Sequence, residues 1–287
     1  MPEVRAAQRR GLPALLLTAD DGARAEIHLD GAHVASWVPA GGAEQLFMSE
    51  RAVYRAGTSL RGGIPVIFPQ FGPGPLPKHG FARTSRWEPS QAAAGGSWAA
   101  RATLVLRDSD ASRAIWPFPF ELALTVEVGG RSLAVSLDVL NPGPNAFSFT
   151  AALHSYLRVA EVDDVALDGL AGVRYRDHAA DGREAVDDAP SLVVLGEVDR
   201  VYMSPPAELR LRDGRSPDAR TVTITAAGFP DVVVWNPGPV KAREFGDLGD
   251  GDHHRMLCVE AAAAAAPVEL PAGARWSGTQ TLVASGA

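Results

Sequence analysis

Residues 120–139 read FELALTVEVGGRSLAVSLDV, and this stretch decides the fold. Apolar side chains occupy every second position on both sides of Gly129–Gly130. A period of two is typical of strands that bury one face. The two glycines supply the positive φ angles that a tight turn needs. The stretch therefore predicts an antiparallel β-hairpin.

The same alternation recurs along the chain, at Ala25-Ile27-Leu29, Leu209-Leu211 and Val222-Ile224, and apolar strand-like runs lie at Asp231–Trp235 and Met256–Val259. Turns rich in Gly and Pro separate them, and no repeat or long linker divides the chain. We therefore predict an all-β fold, a large antiparallel β-sandwich, formed by one domain over residues 1–287 with a core from about 25 to 284. The helix-favouring run Ala261–Ala266 leaves its own conformation undecided.

Composition limits the class of protein. The chain has 287 residues, of which 46% are hydrophobic and 21% charged, and this composition is typical of a folded globular protein. Its net charge of -7 argues against binding to nucleic acid. The one cysteine, Cys258, cannot form an internal disulfide, and no apolar run is long enough to span a membrane. We expect a cytoplasmic protein.

The N-terminal segment has two interpretations. Arg5, Arg9 and Arg10 precede the apolar stretch Leu12–Ala19, which is the order of charges and apolar residues in a signal peptide. The stretch is at the short limit for such a peptide and contains Pro13. We favour a first β-strand that follows a charged lead.

Motifs for phosphate loops, dinucleotide binding, serine hydrolases and zinc proteases do not occur in the sequence. A metal assignment is conceivable for the segment containing Asp247, Asp250, Asp252, His253 and His254, but it lacks the spacing of a calcium loop. We interpret it as a solvated surface loop. Because no His, Cys and Asp set has ligand spacing in the sequence, we expect no metal and no cofactor.

The segment from 61 to 87, RGGIPVIFPQFGPGPLPKHGFARTSRW, is long for a plain connection. It carries four cationic or hydrogen-bonding side chains, Arg61, Lys78, His79 and Arg83, on a protein that is acidic overall. Such a set predicts an anion site. The alternative is a scatter of surface charges that pair with carboxylates or carbonyls.

Two further segments carry candidate acid and base groups. In FSFTAALHSYLRV, residues 147–159, a single strand would point His154 away from the apolar face, where it serves either as an acid or base or as a structural, hydrogen-bonded histidine. In RMLCVEA, residues 255–261, Glu260 ends an apolar run. That carboxylate is paired, exposed at the sheet rim, or a base with a raised pKa.

The motifs RGGIPVIFPQFG, LPKHGFAR, LHSYLRV, EVDRVY, VVVWNP and MLCVEA follow one another in this order. In this order they resemble the hexose-6-phosphate mutarotases, also called glucose-6-phosphate 1-epimerases. That group is a branch of the aldose 1-epimerase or galactose-mutarotase-like superfamily. The resemblance extends from about Ile27 to about Leu282.

The resemblance implies a β-supersandwich and an isomerase that interconverts the α and β anomers of an aldohexose 6-phosphate without metal or cofactor. The expected substrate is D-glucose 6-phosphate. By the matching motifs, His154 is the general acid, Glu260 the general base, Arg61 and Arg83 hold the substrate with its phosphate, and Asp199 binds a sugar hydroxyl. We expect a monomer whose partner is a small sugar phosphate.

Two departures and two alternatives accompany this resemblance. Lys78 stands where the family often has Gln, and Ala261-Ala262 follow Glu260 in place of Pro-Gly. One alternative is an aldose 1-epimerase for unphosphorylated sugars, against which the cationic set argues. The other is a carbohydrate-binding or sensor protein without turnover, against which the presence of both His154 and Glu260 argues.

Overall fold

The structure, a computed structural model, describes residues 1–90, 99–214, 216 and 219–285. Its strands in these ranges, numbered in chain order, are β1 (Glu3–Arg9), β2 (Leu12–Thr18), β3 (Arg24–His28), β4 (His33–Val38), β5 (Val66–Ile67), β6 (Glu88–Pro89), β7 (Ala100–Arg107), β8 (Glu121–Gly129), β9 (Ser132–Leu140), β10 (Phe147–Leu153), β11 (Tyr156–Arg158), β12 (Val165–Asp168), β13 (Arg174–Asp177), β14 (Arg183–Val186), β15 (Ser191–Val193), β16 (Val198–Met203), β17 (Glu208–Asp213), β18 (Arg220–Ala227), β19 (Asp231–Asn236), β20 (Met256–Leu270) and β21 (Arg275–Ser285). The α-helices in the same ranges are α1 (Asp110–Ile115) and α2 (Gly238–Lys241).

The strands form three sheets within the described ranges. A 4-stranded sheet has the order β1-β2-β3-β4, and a 9-stranded sheet has the order β15-β12-β17-β18-β21-β9-β8-β7-β6. An 8-stranded sheet has the order β14-β13-β16-β19-β20-β10-β5, with β11 also paired to β20. Neighbouring strands run antiparallel in each sheet. The predicted fold class, an all-β antiparallel sandwich, is confirmed.

The hairpin predicted from residues 120–139 is formed by β8 and β9. Leu124 lies opposite Leu137, and Gly129 lies opposite Ser132, so the turn itself is formed by Gly130 and Arg131. Only Gly130 of the two glycines has a positive φ, of 58°. The prediction that both glycines supply positive φ angles is wrong, because Gly129 is still paired in the strand.

The N-terminal segment is a strand pair. The apolar stretch at Leu12 forms β2, as predicted, but the charged residues before it form β1 and pair with it from Glu3 to Arg9. The sheet therefore begins ahead of the expected core boundary near residue 25. Of the helices in the described ranges, none has the length and apolar character needed to cross a membrane.

Alternation along the central strands separates a core face from a second face. Val232 and Val234 of β19, and Leu257 and Val259 of β20, belong to the main core, together with residues of the 4-stranded and 9-stranded sheets. Their neighbours in sequence point to the opposite face of the 8-stranded sheet. That second face is free to carry polar groups, because the core is already closed on the other side.

The alanine run that the sequence left undecided lies within β20. Ala261 pairs with Leu153 and Ala262 with Asp231 of the neighbouring strands. The Asp231 carboxylate also accepts hydrogen bonds from the backbone N–H groups of Ala264 and Ala265, at 2.9 and 2.8 Å. Pairing on both sides overrides the helical preference of alanine, which is below 1 kcal/mol per residue.

Gly63 holds the start of the long Gly/Pro segment against β4. Its φ is +59°, and an added Cβ would lie 2.3 Å from the Val34 carbonyl oxygen and 2.6 Å from His33 Nε2. We expect Gly63→Ala to lower the free energy of unfolding by about 2–3 kcal/mol. Gly11→Ala is the control, since Gly11 has a φ of +82° but nothing within 4 Å of the new Cβ.

Gly11→Ala should lower the free energy of unfolding only by the cost of placing alanine in a left-handed backbone conformation, about 1–2 kcal/mol. Urea denaturation of both variants measures the difference. Equal losses in the two proteins would show that the close approach of Gly63 to β4 is not a constraint on the fold.

Candidate active site

A row of side chains crosses the second face of the 8-stranded sheet. Tyr156 of β11 lies opposite Cys258 of β20, Cys258 opposite Trp235 of β19, and Trp235 opposite Asp199 of β16. Glu260 is two residues beyond Cys258 on the same strand and therefore shares this face. Strand register thus collects residues that are up to about 100 positions apart in the sequence.

His154 lies at a break between β10 and β11, so the predicted single strand is two. The break comes at His154 and Ser155, and the His154 N–H donates to the carbonyl of Pro65 at 3.0 Å. The faces stay as predicted: Leu153 and Leu157 belong to the main core, and Ser155 hydrogen-bonds to the buried Gln280. His154 therefore points to the second face, next to Tyr156.

His154 and Glu260 meet at the bottom of this face. His154 Nδ1 lies 3.3 Å from Glu260 Oε1, and the residues are 8% and 1% exposed. The His154 ring stacks on Tyr156 with centroids 4.7 Å apart and planes at 11°. Glu260 is therefore not a carboxylate exposed at the sheet rim, which was one of the three interpretations of the sequence, because it is buried and faces an imidazole.

Burial shifts the pKa values of both groups toward their neutral forms. The pKa of Glu260 is raised well above its ordinary value of 4.5 by burial and by the charge of Asp199. The pKa of His154 is lowered well below 6.5 by burial, by His79 and by the charges of Arg83 and Arg61. Burial therefore favours a protonated carboxyl beside a neutral imidazole, a form of the pair that shares one titrating proton and has no net charge.

The pair opens into a cleft of about 250 Å³ between the second face and the long Gly/Pro segment. Every residue that the sequence nominated for the site borders this cleft, namely Arg61, Lys78, His79, Arg83, His154, Asp199 and Glu260. The structure thus brings together residues from five separate motifs of the chain. Aromatic and other side chains that sequence reasoning did not nominate complete the lining: Phe71, Tyr156, His178, Trp235, Lys241 and Phe245.

Arg61 is held firmly in the wall of the cleft. Its Nε donates to the Asp247 carboxylate at 3.1 Å, its Nη1 donates to the Tyr156 hydroxyl at 3.1 Å, and its guanidinium lies 4.6 Å from the Phe245 ring centre. Burial opposes the charge, but Tyr156 and Asp247 outweigh it and raise the pKa of Arg61. Arg61 therefore presents a fixed cation whose charge Asp247 partly balances.

Arg83 and Lys78 differ from Arg61 in lacking an acidic partner. Arg83 Nη2 donates to the backbone carbonyl of Lys78 at 2.8 Å, and its buried Nε has no hydrogen-bond partner. Burial, together with the charge of Arg61, lowers the pKa of Arg83. Neither Arg83 nor Lys78 forms an ion pair with a carboxylate of the described residues. Two positive charges in the cleft are thus available to an anion.

His79 is a neutral hydrogen-bond donor in the same wall. Its Nδ1 accepts a hydrogen bond from the Gly72 N–H at 3.2 Å, which leaves the proton on Nε2. Burial and the charges of Arg83 and Lys78 lower its pKa to about 3. Its ring centre lies 5.9 Å from that of His154. It can therefore donate to an oxygen next to the acid–base pair.

Asp199 lies between two basic side chains. His178 Nδ1 is 3.6 Å from Asp199 Oδ1, and Lys241 Nζ is 4.0 Å from Asp199 Oδ2. Lys241 also donates to Glu197 at 2.6 Å. No motif signalled Lys241 or His178, since each reaches the cleft from a different connection between strands.

The acidic segment after Phe245 is not the solvated loop that the sequence predicts. Asp247 binds Arg61, and Asp252 accepts hydrogen bonds from the Ser49 hydroxyl and the Gly249 N–H, both at 2.7 Å. His253 is buried. Asp250 and His254 are exposed, with side chains 94% and 46% accessible, and fit that interpretation.

Known sequences include relatives of this chain. The family model described as aldose 1-epimerase matches residues 13–283. A protein of Cenchrus ciliaris named "Putative glucose-6-phosphate 1-epimerase" is 35% identical over 96% of this chain and 85% of its own length. A protein of the same name from Escherichia coli is 33% identical over 83% of this chain and 79% of its own length.

Solved structures agree as well. The crystal structure of a "putative mutarotase" from Salmonella typhimurium has a TM-score of 0.90 at 30% identity and covers 99% of this chain and 94% of its own. A galactose mutarotase-like protein from Clostridium acetobutylicum, at 14% identity, shares the fold with a TM-score of 0.78 over 100% of this chain and 99% of its own. The resemblance found in the motifs is confirmed, and this chain belongs to the aldose 1-epimerase family of isomerases.

Proposed function

We propose that this protein interconverts the α and β anomers of an aldohexose 6-phosphate, with D-glucose 6-phosphate as substrate. The observation that carries the proposal is a buried His154–Glu260 pair in the same cleft as two cations, Arg83 and Lys78, that have no acidic partner. The names of the relatives at 33–35% identity support a phosphorylated substrate.

The pair supplies the two proton transfers that ring opening needs. Glu260 takes the proton of the anomeric hydroxyl while His154 gives a proton to the ring oxygen, and the bond between C1 and that oxygen breaks. The resulting aldehyde rotates about the C1–C2 bond. On reclosure at its other face, Glu260 gives its proton back to the oxygen on C1 and His154 takes back the proton from the former ring oxygen, so both groups return to their starting states and no atom is gained or lost.

The single proton of the pair suits this exchange. Proton transfer from Glu260 to His154 converts the neutral pair into a carboxylate and an imidazolium, whose opposite charges lie about 3.3 Å apart and compensate each other. That form has a base for the anomeric hydroxyl and an acid for the ring oxygen. When the sugar displaces water from the cleft, the interaction of the carboxylate with the anomeric hydroxyl and that of the imidazolium with the ring oxygen both become stronger.

Remote groups would hold the sugar in register with this pair. Arg83 and Lys78, with the anchored Arg61, suit the phosphate oxygens, because a guanidinium donates two parallel hydrogen bonds. His79 offers a neutral donor, and Asp199 offers an acceptor for a sugar hydroxyl. Binding energy from the phosphate, distant from C1, then orients the ring for reaction.

The two alternatives fit the site less well. A carbohydrate-binding protein gains nothing from a carboxyl group that is 1% exposed, since burial of such a group is unfavourable unless it is used. An epimerase for unphosphorylated sugars would leave the positive charges of Arg83 and Lys78 uncompensated in the cleft. Both arguments favour turnover of a phosphosugar.

NMR exchange spectroscopy on glucose 6-phosphate tests the proposal. Enzyme should produce cross-peaks between the two anomers far above the spontaneous rate. The methyl glucoside 6-phosphate has a methoxy group in place of the hydroxyl on C1, so it has no hydroxyl proton there to give. It should therefore bind, inhibit the exchange competitively and stay unchanged itself. Failure of the enzyme to accelerate the exchange would overturn the proposal.

The rate should follow the singly protonated His154–Glu260 pair as pH changes. Because the pKa of Glu260 is held above 4.5, the shared proton leaves only at a pH well above that value, and activity is then lost with the acid. Because the pKa of His154 is held below 6.5, a second proton binds only well below it. We expect a plateau through neutral pH, with a further acidic decline near pH 6 if the phosphate binds as a dianion.

The measurement is kcat/KM for anomer exchange from about pH 5 to pH 10, corrected for the spontaneous reaction. An enzyme most active near pH 5.5, between the ordinary values of 4.5 and 6.5, would contradict the assigned environments of the pair.

A further inference from the structure

A thiol lies beside the acid–base pair, and the reaction above does not use it. Cys258 is 0% exposed and shares the second face of β20 with Glu260. A ring nitrogen of His154, the Cys258 sulfur and a carboxylate oxygen of Glu260 all lie within 4.8 Å of one another. No spacing pattern in the sequence groups these three residues, because strand register brings them together.

Two of these side chains have buried polar atoms without a partner. Glu260 Oε2 and His154 Nδ1 accept or donate no hydrogen bond within the described structure. Unpaired polar atoms at this depth are unfavourable, and here the two side chains each bring a ligand atom within 4.8 Å of the Cys258 sulfur. The arrangement is therefore prepared for a positively charged partner.

The donor set selects the kind of ion. One thiolate, one imidazole and one carboxylate are the ligands of Zn²⁺, whereas Mg²⁺ and Ca²⁺ take six or more oxygens. Tetrahedral zinc with nitrogen and oxygen at about 2.0–2.1 Å places those two atoms about 3.3 Å apart. His154 Nδ1 and Glu260 Oε1 are 3.3 Å apart. The fourth position would open toward the cleft.

We propose that His154, Cys258 and Glu260 form a binding site for Zn²⁺ that inhibits the enzyme. Binding releases the thiol proton and the one proton of the His154–Glu260 pair to solvent. Zn²⁺ with one thiolate, one carboxylate and a neutral imidazole has no net charge, so the buried site stays neutral. The metal occupies the electron pairs that proton transfer requires, and anomer exchange stops.

A second group of potential ligands provides an internal control. Glu161, Asp163 and His254 also lie within 4.8 Å of one another, but all three are exposed and His254 is already paired with Glu161 at 2.8 Å. A metal bound there is remote from the cleft lining and should not affect turnover. His254→Ala removes this group without touching the buried site.

Cobalt absorption tests binding independently of activity. The chain has 1 cysteine, so a sulfur-to-cobalt charge-transfer band in the presence of Co²⁺ can come only from Cys258. The band should appear in the wild type and in His254→Ala, disappear in Cys258→Ser and Cys258→Ala, and be displaced by Zn²⁺. This readout holds whatever the substrate of the enzyme proves to be, so it separates failure of the zinc site from failure of the proposed function.

Inhibition is measured on the same proteins. At a free Zn²⁺ concentration 100 times its Kd, the exchange rate should fall about 100-fold and recover on chelation. Cys258→Ser should keep the exchange rate of the metal-free enzyme but bind zinc at least about 100-fold more weakly, while His254→Ala should be inhibited like the wild type.

Zinc inhibition that is equal in Cys258→Ser and wild type would overturn the proposal, as would inhibition lost in His254→Ala. If neither cysteine variant folds, the wild type decides the question alone, because the absence of a sulfur-to-cobalt band then contradicts a site that includes the only thiol.

Discussion

Glu260→Gln is expected to lower the rate of anomer exchange by about 10²-fold or more while phosphosugar binding stays largely intact. Glutamine keeps the shape of the side chain and cannot accept the anomeric proton as a base. The buried position, 1% exposed, leaves little room for water to take over the role. Calorimetry gives the affinity and exchange spectroscopy the rate.

His154→Asn should have an effect of the same kind. The double variant should be little worse than the more damaging single one, because a base without its acid cannot complete the ring opening. Glu208→Gln makes the same chemical change at an exposed carboxylate that pairs with Arg210, and it should leave the rate unchanged. A folded Glu260→Gln protein with the wild-type rate would refute the assigned pair.

Arg83→Ala is expected to weaken use of the phosphosugar by about ten- to a hundredfold, since a charge-assisted hydrogen bond is worth about 1.5–3 kcal/mol. Its guanidinium forms no ion pair with a carboxylate of the described residues, and its buried Nε has no hydrogen-bond partner, so this donor is available. Unphosphorylated glucose lacks the anion, and its slow exchange should hardly change. The measurement is kcat/KM on both sugars.

Arg86→Ala is the matched control for this loss. Arg86 is three residues further on, pairs with Asp30 at 3.0 Å and does not border the cleft. It should leave both sugars unaffected. Equal losses on both substrates in Arg83→Ala would show that the arginine orients the ring or supports the fold, and would remove the argument for a phosphate.

Alternation in the sequence predicted the face of its strand on which His154 lies, and the structure puts it there. The sequence leaves Glu260 as paired, exposed at the sheet rim, or a base, and the structure buries it next to His154. Their approach to 3.3 Å depends on the pairing of β20 with β10 and β11, which is a long-range register that no local pattern contains. The motif resemblance, not periodicity, linked the two residues.

The parts of the site that sequence reasoning missed are tertiary contacts. Asp247 looked like a surface acid because its partner, Arg61, lies 186 positions earlier in the chain. In the sequence Cys258 served only to argue against an internal disulfide, whereas the sheet places it beside His154 and Glu260. The conformation of the alanine run in β20 could not be decided from the sequence, because pairing with neighbouring strands outweighs the small local preference of alanine for a helix.

Exchange spectroscopy with glucose 6-phosphate and glucose side by side, at equal enzyme concentration, tests both the catalytic pair and the phosphate site. We expect rapid exchange of the phosphosugar anomers, at least about tenfold faster than that of glucose, and loss of that exchange in Glu260→Gln. Equal acceleration of both sugars would contradict the phosphate site, and acceleration of neither would contradict the assignment of His154 and Glu260 as the catalytic pair for these sugars.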